Sequence, residues 1–270
     1  MLKKIKETAD FLKQNHNIGA RVGIILGTGL GGLVNEIKIE KTISYGEIPN
    51  FPVSTVEGHE GRLIFGNIRG TEIVAMQGRF HYYEGYDMKD VTFPVRVMKA
   101  LGIDHLFVSN ASGGLNPDFV VGDIMVITDH INMFGDNPLI GKNINELGPR
   151  FPDMSAPYDK GLTEKAFEIA AKHDIKLQKG VYVGTAGPTF ETPAEYKFFR
   201  VIGGDTVGMS TVPEVIVARH SGMTVFGISI ITDSGVPGQI VEISHEEVQE
   251  VAAKAEPKMT KVIAELVGSV

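Results

Sequence analysis

One feature limits the possible folds more than any other: short apolar runs alternate with segments of helical periodicity. The runs at 21–26, 62–68, 71–76, 105–109, 123–128, 181–185, 206–208 and 225–232 read as strands. Helical spacing covers 2–13, 87–101, 163–172, a segment after Thr192, 213–220 and 246–267, with a short helix expected near 30–37. Such alternation predicts an α/β fold, a single-domain mixed twisted β-sheet flanked by helices over residues 1–270. Pro94 should start or kink its helix, and Pro257 should kink or break the last one. Residues 129–160 are rich in Pro, Gly, Asn and Asp and read as a long loop region. Ligands of such sheets bind beyond the carboxyl ends of the strands. Glycine and polar motifs follow the runs ending at 26, 109, 185 and 232, which points to one site built from several loops.

Composition removes whole classes of function. Hydrophobic residues make up 43% and charged residues 22% of 270, enough for a sizeable core. With no cysteine, disulfides, thiolate metal sites and cysteine nucleophiles are excluded. A net charge of −7 argues against nucleic acid as a partner. No apolar run reaches the roughly 18 residues of a membrane span. The charged start MLKKIKETADFLKQN is unlike a signal peptide, so a cytoplasmic location and no membrane partner are expected. Glycine is in excess at 32 residues, many of them in short clusters, and those clusters carry the chemistry.

The first cluster is GTGLGGL at 27–33. Glycines after a strand let the backbone approach an anion, and the N–H groups of a following helix attract it. Gly27, Gly29 and Gly32 also satisfy the spacing of a dinucleotide fingerprint, and a plain tight turn fits as well. No Gly-Lys-Ser/Thr ending is present, so this is not a P-loop. The second cluster holds His59, Arg62, Arg79 and His81. Arginine offers a planar fork of donors to phosphate, and in extended backbone Arg79 and His81 point to one side. His59 and His81 lack metal-ligand spacing, so no metal site is expected.

Further loops offer paired alternatives. SNASGGLN at 109–116 presents amides and small side chains. Phe190 beside Glu191 can stack on a heterocycle and bond its edge, or simply open a helix. Ser210 and Thr211 can meet a ligand or cap a helix. Asp233 is a candidate general acid or a turn residue, and His245 begins the last helix behind Ser244.

Together and in this order, GTGLGGL, GHEGRL, MQGRFHYYEGY, SNASGGLN, GPRFPDMS, GPTFETPAE, GMSTVPEVIVARH and HEEV resemble the trimeric class of purine nucleoside phosphorylases, close relatives of the methylthioadenosine phosphorylases. The resemblance spans about residues 20–250 and implies a nucleoside phosphorylase-like fold. It implies a phosphate subsite of Thr28, His59, Arg79, His81, the backbone at Ala111, and Ser210. Tyr83, Met209 and His245 would contact the ribose, and Asn110, Phe190, Glu191 and Asp233 the base. Phe151 would reach the neighbouring subunit's ribose site in a homotrimer. His81, Glu191 and Asp233 are the implied catalytic residues. Inorganic phosphate is the co-substrate, with no cofactor. Phosphate attacks the anomeric carbon, the purine leaves, and ribose 1-phosphate forms with inversion.

The chain departs from this pattern at Asp233, where 6-oxopurine enzymes of the class carry Asn. An ionised Asp only accepts hydrogen bonds, whereas a protonated one can donate to N7 and accept from a 6-amino group. The expectation leans to inosine and guanosine, with an adenosine or methylthioadenosine preference as the alternative. A nucleoside hydrolase using Glu191 and Asp233 would leave the basic cluster idle. A dehydrogenase would place an acid about 20 residues past the fingerprint, but Glu47 lies in a Gly/Pro-flanked loop. Segments 45–61 and 235–245 are candidate lids.

Overall fold

A computed structural model describes residues 1–16, 19–27, 31–53, 55 and 60–270. In chain order the elements are α1 (Leu2–Asn15), β1 (Val22–Leu26), β2 (Lys38–Ser44), β3 (Arg62–Ile68), β4 (Thr71–Gln77), α2 (Met88–Val91), α3 (Phe93–Leu101), β5 (His105–Gly114), β6 (Ile124–Met133), α4 (Lys160–Lys172), β7 (Leu177–Thr185), α5 (Pro193–Val201), β8 (Thr206–Gly208), α6 (Val212–His220), β9 (Thr224–Ser234) and α7 (His245–Val267). The described strands form one mixed sheet in the order β2-β3-β4-β1-β5-β8-β7-β6-β9, and β9 also pairs with β5.

All five residues of β1 are buried because both faces of the sheet are covered. Val22, Ile24 and Leu26 join a core with α4 and α7, while Ile25 joins the opposite core with α1, α3 and α6. A third cluster of Leu115, Val183, Tyr196, Phe199 and Val207 sits under α5.

The pairing of β5 decides where a site can exist. One edge of β5 runs beside β9 from His105 to Gly114. The other edge pairs with β1 up to Val108 and with β8 only from Gly113. Strands β5, β8, β7, β6 and β9 thereby close a ring, and residues 109–112 are left without a strand partner on the β1/β8 edge. A cleft opens at that split.

Several elements differ from the sequence expectations. β2 was not anticipated: six of its seven residues are exposed, so it lacks an apolar alternation and is held by its ladder to β3. The SNASGG segment lies within β5 rather than after it, and the region expected as loop from 129 opens with the end of β6. The 87–101 helix is split at Thr92, with Pro94 in the first turn of α3. Residues 31–36 form a 3-10 helix. α7 continues through Pro257 because Ala252, Ala255, Met259, Val262 and Ile263 pack its two halves on one core.

Candidate active site

A cavity at the split in the sheet gathers eleven of the residues singled out from sequence: Arg79, His81, Tyr83, Asn110, Ala111, Phe190, Glu191, Met209, Ser210, Asp233 and His245. Thr28 and His59 lie outside the described residues. Phe151 stands apart: it is 87% exposed, has the Arg150 guanidinium 5.7 Å from its ring centre, and lines a separate depression with Ile140 and Met154.

The basic corner follows β4. Arg79 is 1% exposed and bonded on several sides: Nε donates to Glu214 Oε1 at 3.2 Å, and Nη1 donates to Ser109 O at 2.8 Å and to Ser210 Oγ at 3.0 Å. A side chain here at Gly27 would come 2.7 Å from Ser109 O and 3.2 Å from Arg79 Nη1, so the first glycine of the fingerprint exists for this close approach. Gly32 is explained in the same way, since its N–H is taken by the Glu256 carboxylate from α7.

His81 is buried, stacked on Tyr83 with ring centres 4.6 Å apart, and tied to Glu84. Glu84 Oε1 accepts from the His81 backbone N–H at 2.8 Å and lies 3.0 Å from Nδ1. Burial alone would raise the Glu84 carboxyl, but hydrogen bonds from His81 and Thr55 hold it down to about 2. An ionised Glu84 makes Nδ1 the protonated nitrogen of a neutral ring, leaving Nε2 as its acceptor nitrogen. Burial lowers the His81 pKa despite this carboxylate.

The second corner joins β5 to the turn before α6. Asn110 Nδ2 donates to Thr211 Oγ1 at 2.8 Å, and Thr211 Oγ1 lies 3.1 Å from Ser210 Oγ. Thr211 has φ 70° and ψ −52°, and Val212 N donates to Ser210 O at 2.7 Å. This is a γ-turn of positive φ, a strained conformation for a β-branched residue. Thr211 occupies the cap position of α6 but its side chain makes no capping bond, so its hydroxyl serves the site instead.

The acidic corner joins β7, α5 and β9. Thr192 and Glu195 form a capping box on α5, which leaves Glu191 outside the cap. Thr185 Oγ1 donates to Glu191 Oε1 at 3.3 Å. Burial pushes the Glu191 carboxyl up to about 7, with the Asp233 charge adding to the effect. Asp233 is also raised by burial, against hydrogen bonds from Thr232 and Tyr196. It is a strand residue, not a turn residue. A bulge sets Ser112 opposite Ile231 and Gly113 opposite Asp233, with Thr232 as the extra residue. The bulge breaks the in-out alternation, and consecutive Thr232 and Asp233 both line the cavity.

Ser244 caps α7 by accepting from Glu247 N at 3.2 Å, which sets His245 and Val248 at the cavity. Sequence reasoning missed the positioning residues Glu84, Glu214 and Tyr196, and offered Thr211 only as a ligand contact or helix cap, not as the partner of Asn110. Glu84 and Glu214 lie inside the quoted strings, but nothing in their spacing marks them as partners of His81 and Arg79. Among the described residues no cluster of His, Asp or Glu could hold a metal ion, and no helix is long and apolar enough to cross a membrane.

Residues 21–268 match the phosphorylase superfamily. The chain belongs to that family. It is 53% identical to purine nucleoside phosphorylase 1 of Bacillus subtilis over 99% of this chain and 98% of that one. The Schistosoma mansoni purine nucleoside phosphorylase, solved in complex with adenosine, superimposes with a TM-score of 0.95 at 40% identity, covering 100% and 98% of the two chains. Its isoform 2, solved with cytosine and ribose-1-phosphate, gives 0.95 at 42% identity over 99% and 96%. The nucleoside phosphorylase fold expected from sequence is therefore the observed one, with the cavity where β5 parts from β1.

Proposed function

We propose that this chain is a purine nucleoside phosphorylase, cleaving purine ribo- or deoxyribonucleosides with inorganic phosphate to free base and pentose 1-phosphate. The observation that carries the reading is the division of a single cavity into a basic corner at Arg79 and His81 and a carboxyl pair at Glu191 and Asp233. The relatives named as purine nucleoside phosphorylases, and the neighbours holding adenosine or ribose-1-phosphate, support it.

In this reading, phosphate binds against Arg79, His81, Ser210 and the backbone at Ala111, with Thr28 and His59. Tyr83, Met209 and His245 take the pentose, and Phe190 and Asn110 flank the base. Glu191 accepts from N1–H of a 6-oxopurine. Asp233, whose carboxyl burial raises, meets N7 and donates to it when it carries the proton, as negative charge moves onto the leaving base. Rate comes from alignment of phosphate with the anomeric carbon and from preorganised charge, and no protein nucleophile is needed. The preferred substrates are inosine and guanosine. Asp233 in its acid form keeps adenosine as the second candidate.

The exposed Phe151 supports a homotrimer in which it completes the neighbouring pentose site. The test is base release from inosine, guanosine, adenosine and methylthioadenosine, with and without phosphate. Strictly phosphate-dependent release from inosine and guanosine is the expected result. Release without phosphate would mean a hydrolase.

A further inference from the structure

A second cavity lies away from the one described above and shares no lining residue with it. Three cations from three parts of the chain line it: Lys89 on α2, Arg96 on α3 and Lys142 in the loop after β6. Among the described residues, no Asp or Glu lines it. A Cβ at Gly141 would meet the Lys89 ammonium at 3.6 Å, so that ammonium lies against the same loop that carries Lys142.

Arg96 is the informative member. It is 8% exposed, and its hydrogen bonds among the described residues all leave from one nitrogen. Nη1 lies 3.1 Å from Leu147 O, 2.7 Å from Ser221 Oγ and 2.8 Å from His220 Nδ1, three acceptors that share its two protons. All three are neutral, since burial and the Arg96 charge lower the His220 pKa. The remaining donors, on Nε and Nη2, have no partner there. Glu146 shares an adjoining depression with Arg96 but forms no salt bridge with it. Burial lowers the guanidinium only to about 10, so it stays charged at neutral pH. A buried cation with no counter-charge is costly, because lost hydration is not replaced.

We propose that this cavity is a second anion site, taking the phosphoryl group of inorganic phosphate or of a small phosphomonoester. A guanidinium fork and two ammonium groups match such a dianion in charge and in donors. Pro138, Leu139, Ile144 and Leu147 make the rest of the wall apolar and would pack against the body of an ester. His220 ends α6, while Thr211 and Glu214 at its start serve the first cavity, so one nine-residue helix joins the two sites. The site stands independently of the phosphorylase reading.

The test is equilibrium dialysis of radiolabelled inorganic phosphate at low ionic strength, without nucleoside, on the unaltered chain and on Lys89→Ala/Lys142→Ala. Both lysines are exposed, so the variant should keep its fold and Tm. It should bind one phosphate fewer per chain, the lost site weakened at least about tenfold, with phosphate KM for base release unchanged within about twofold. Equal counts overturn the proposal. So does a phosphate KM that rises with the loss, because the lost site would then be the first cavity. Lys142→Glu offers Arg96 the carboxylate it lacks, and should remove the same phosphate without lowering Tm. A lower Tm with the phosphate still bound counts against the site. Phenyl phosphate separates the sources: displacing the second phosphate more readily than inorganic phosphate does assigns the site to an ester, and less readily to inorganic phosphate. A chain that released no base would sink the phosphorylase reading, while the phosphate count would still decide the second site.

Discussion

Arg79 and Glu214, 135 residues apart, form a buried ion pair at 3.2 Å in which neither side chain is more than 4% exposed. The pair fixes a guanidinium beside the cavity and holds the start of α6 to the end of β4. Arg79→Ala strands the Glu214 charge and should cost about 3–5 kcal/mol of stability. Adding Glu214→Gln should recover much of that stability but none of the phosphate affinity. Denaturation midpoints and phosphate KM, measured on both variants, separate the two roles. A phosphate KM unchanged by either would remove Arg79 from the phosphate subsite.

Glu191 gives a pH signature. Its carboxyl is pushed up to about 7 by burial, so inosine efficiency should fall as pH drops through 7, when the N1–H acceptor is lost. Stability runs the other way. A carboxyl raised on folding favours the folded state at low pH, and that contribution is lost as pH rises toward 7. Glu191→Gln should therefore match the parent in Tm at pH 5 and exceed it at pH 8. Parallel Tm curves across this range would mean that Glu191 is not perturbed.

The Asn110–Thr211 contact predicts a positioning defect. Thr211→Ala removes the acceptor of the buried Asn110 amide, which lies 2.8 Å away. It should cost about 1–2 kcal/mol of stability and lower kcat more than it changes phosphate KM. Thr211→Ser keeps the hydroxyl and should restore kcat. Equal kcat in the two variants would show that the hydroxyl does not matter.

Pro257 sits on an exposed face inside α7, where proline removes one backbone donor. Pro257→Ala should raise stability by about 1–3 kcal/mol, read as a higher denaturation midpoint with an unchanged m-value. A lower midpoint would show that the core requires a bend at this position.

Sequence alone determined the alternation of strands and helices, and with it the fold class, because burial on both sides of a sheet demands continuous apolar runs such as Val22–Leu26. It also named eleven residues that the cavity brings together, because anion and purine binding draw on few side-chain types at loop-like strings. The exposed strand β2 was silent, since hydrogen bonds to a neighbour leave no apolar pattern. Only the tertiary structure paired Arg79 with Glu214, His81 with Glu84 and Tyr196 with Asp233, decided that two fingerprint glycines serve close packing, and placed Thr232 and Asp233 on one side of a bulged strand. Those outcomes depend on strand register and on which buried polar group finds which partner. Both are settled by the whole sheet closing on itself, not by local spacing.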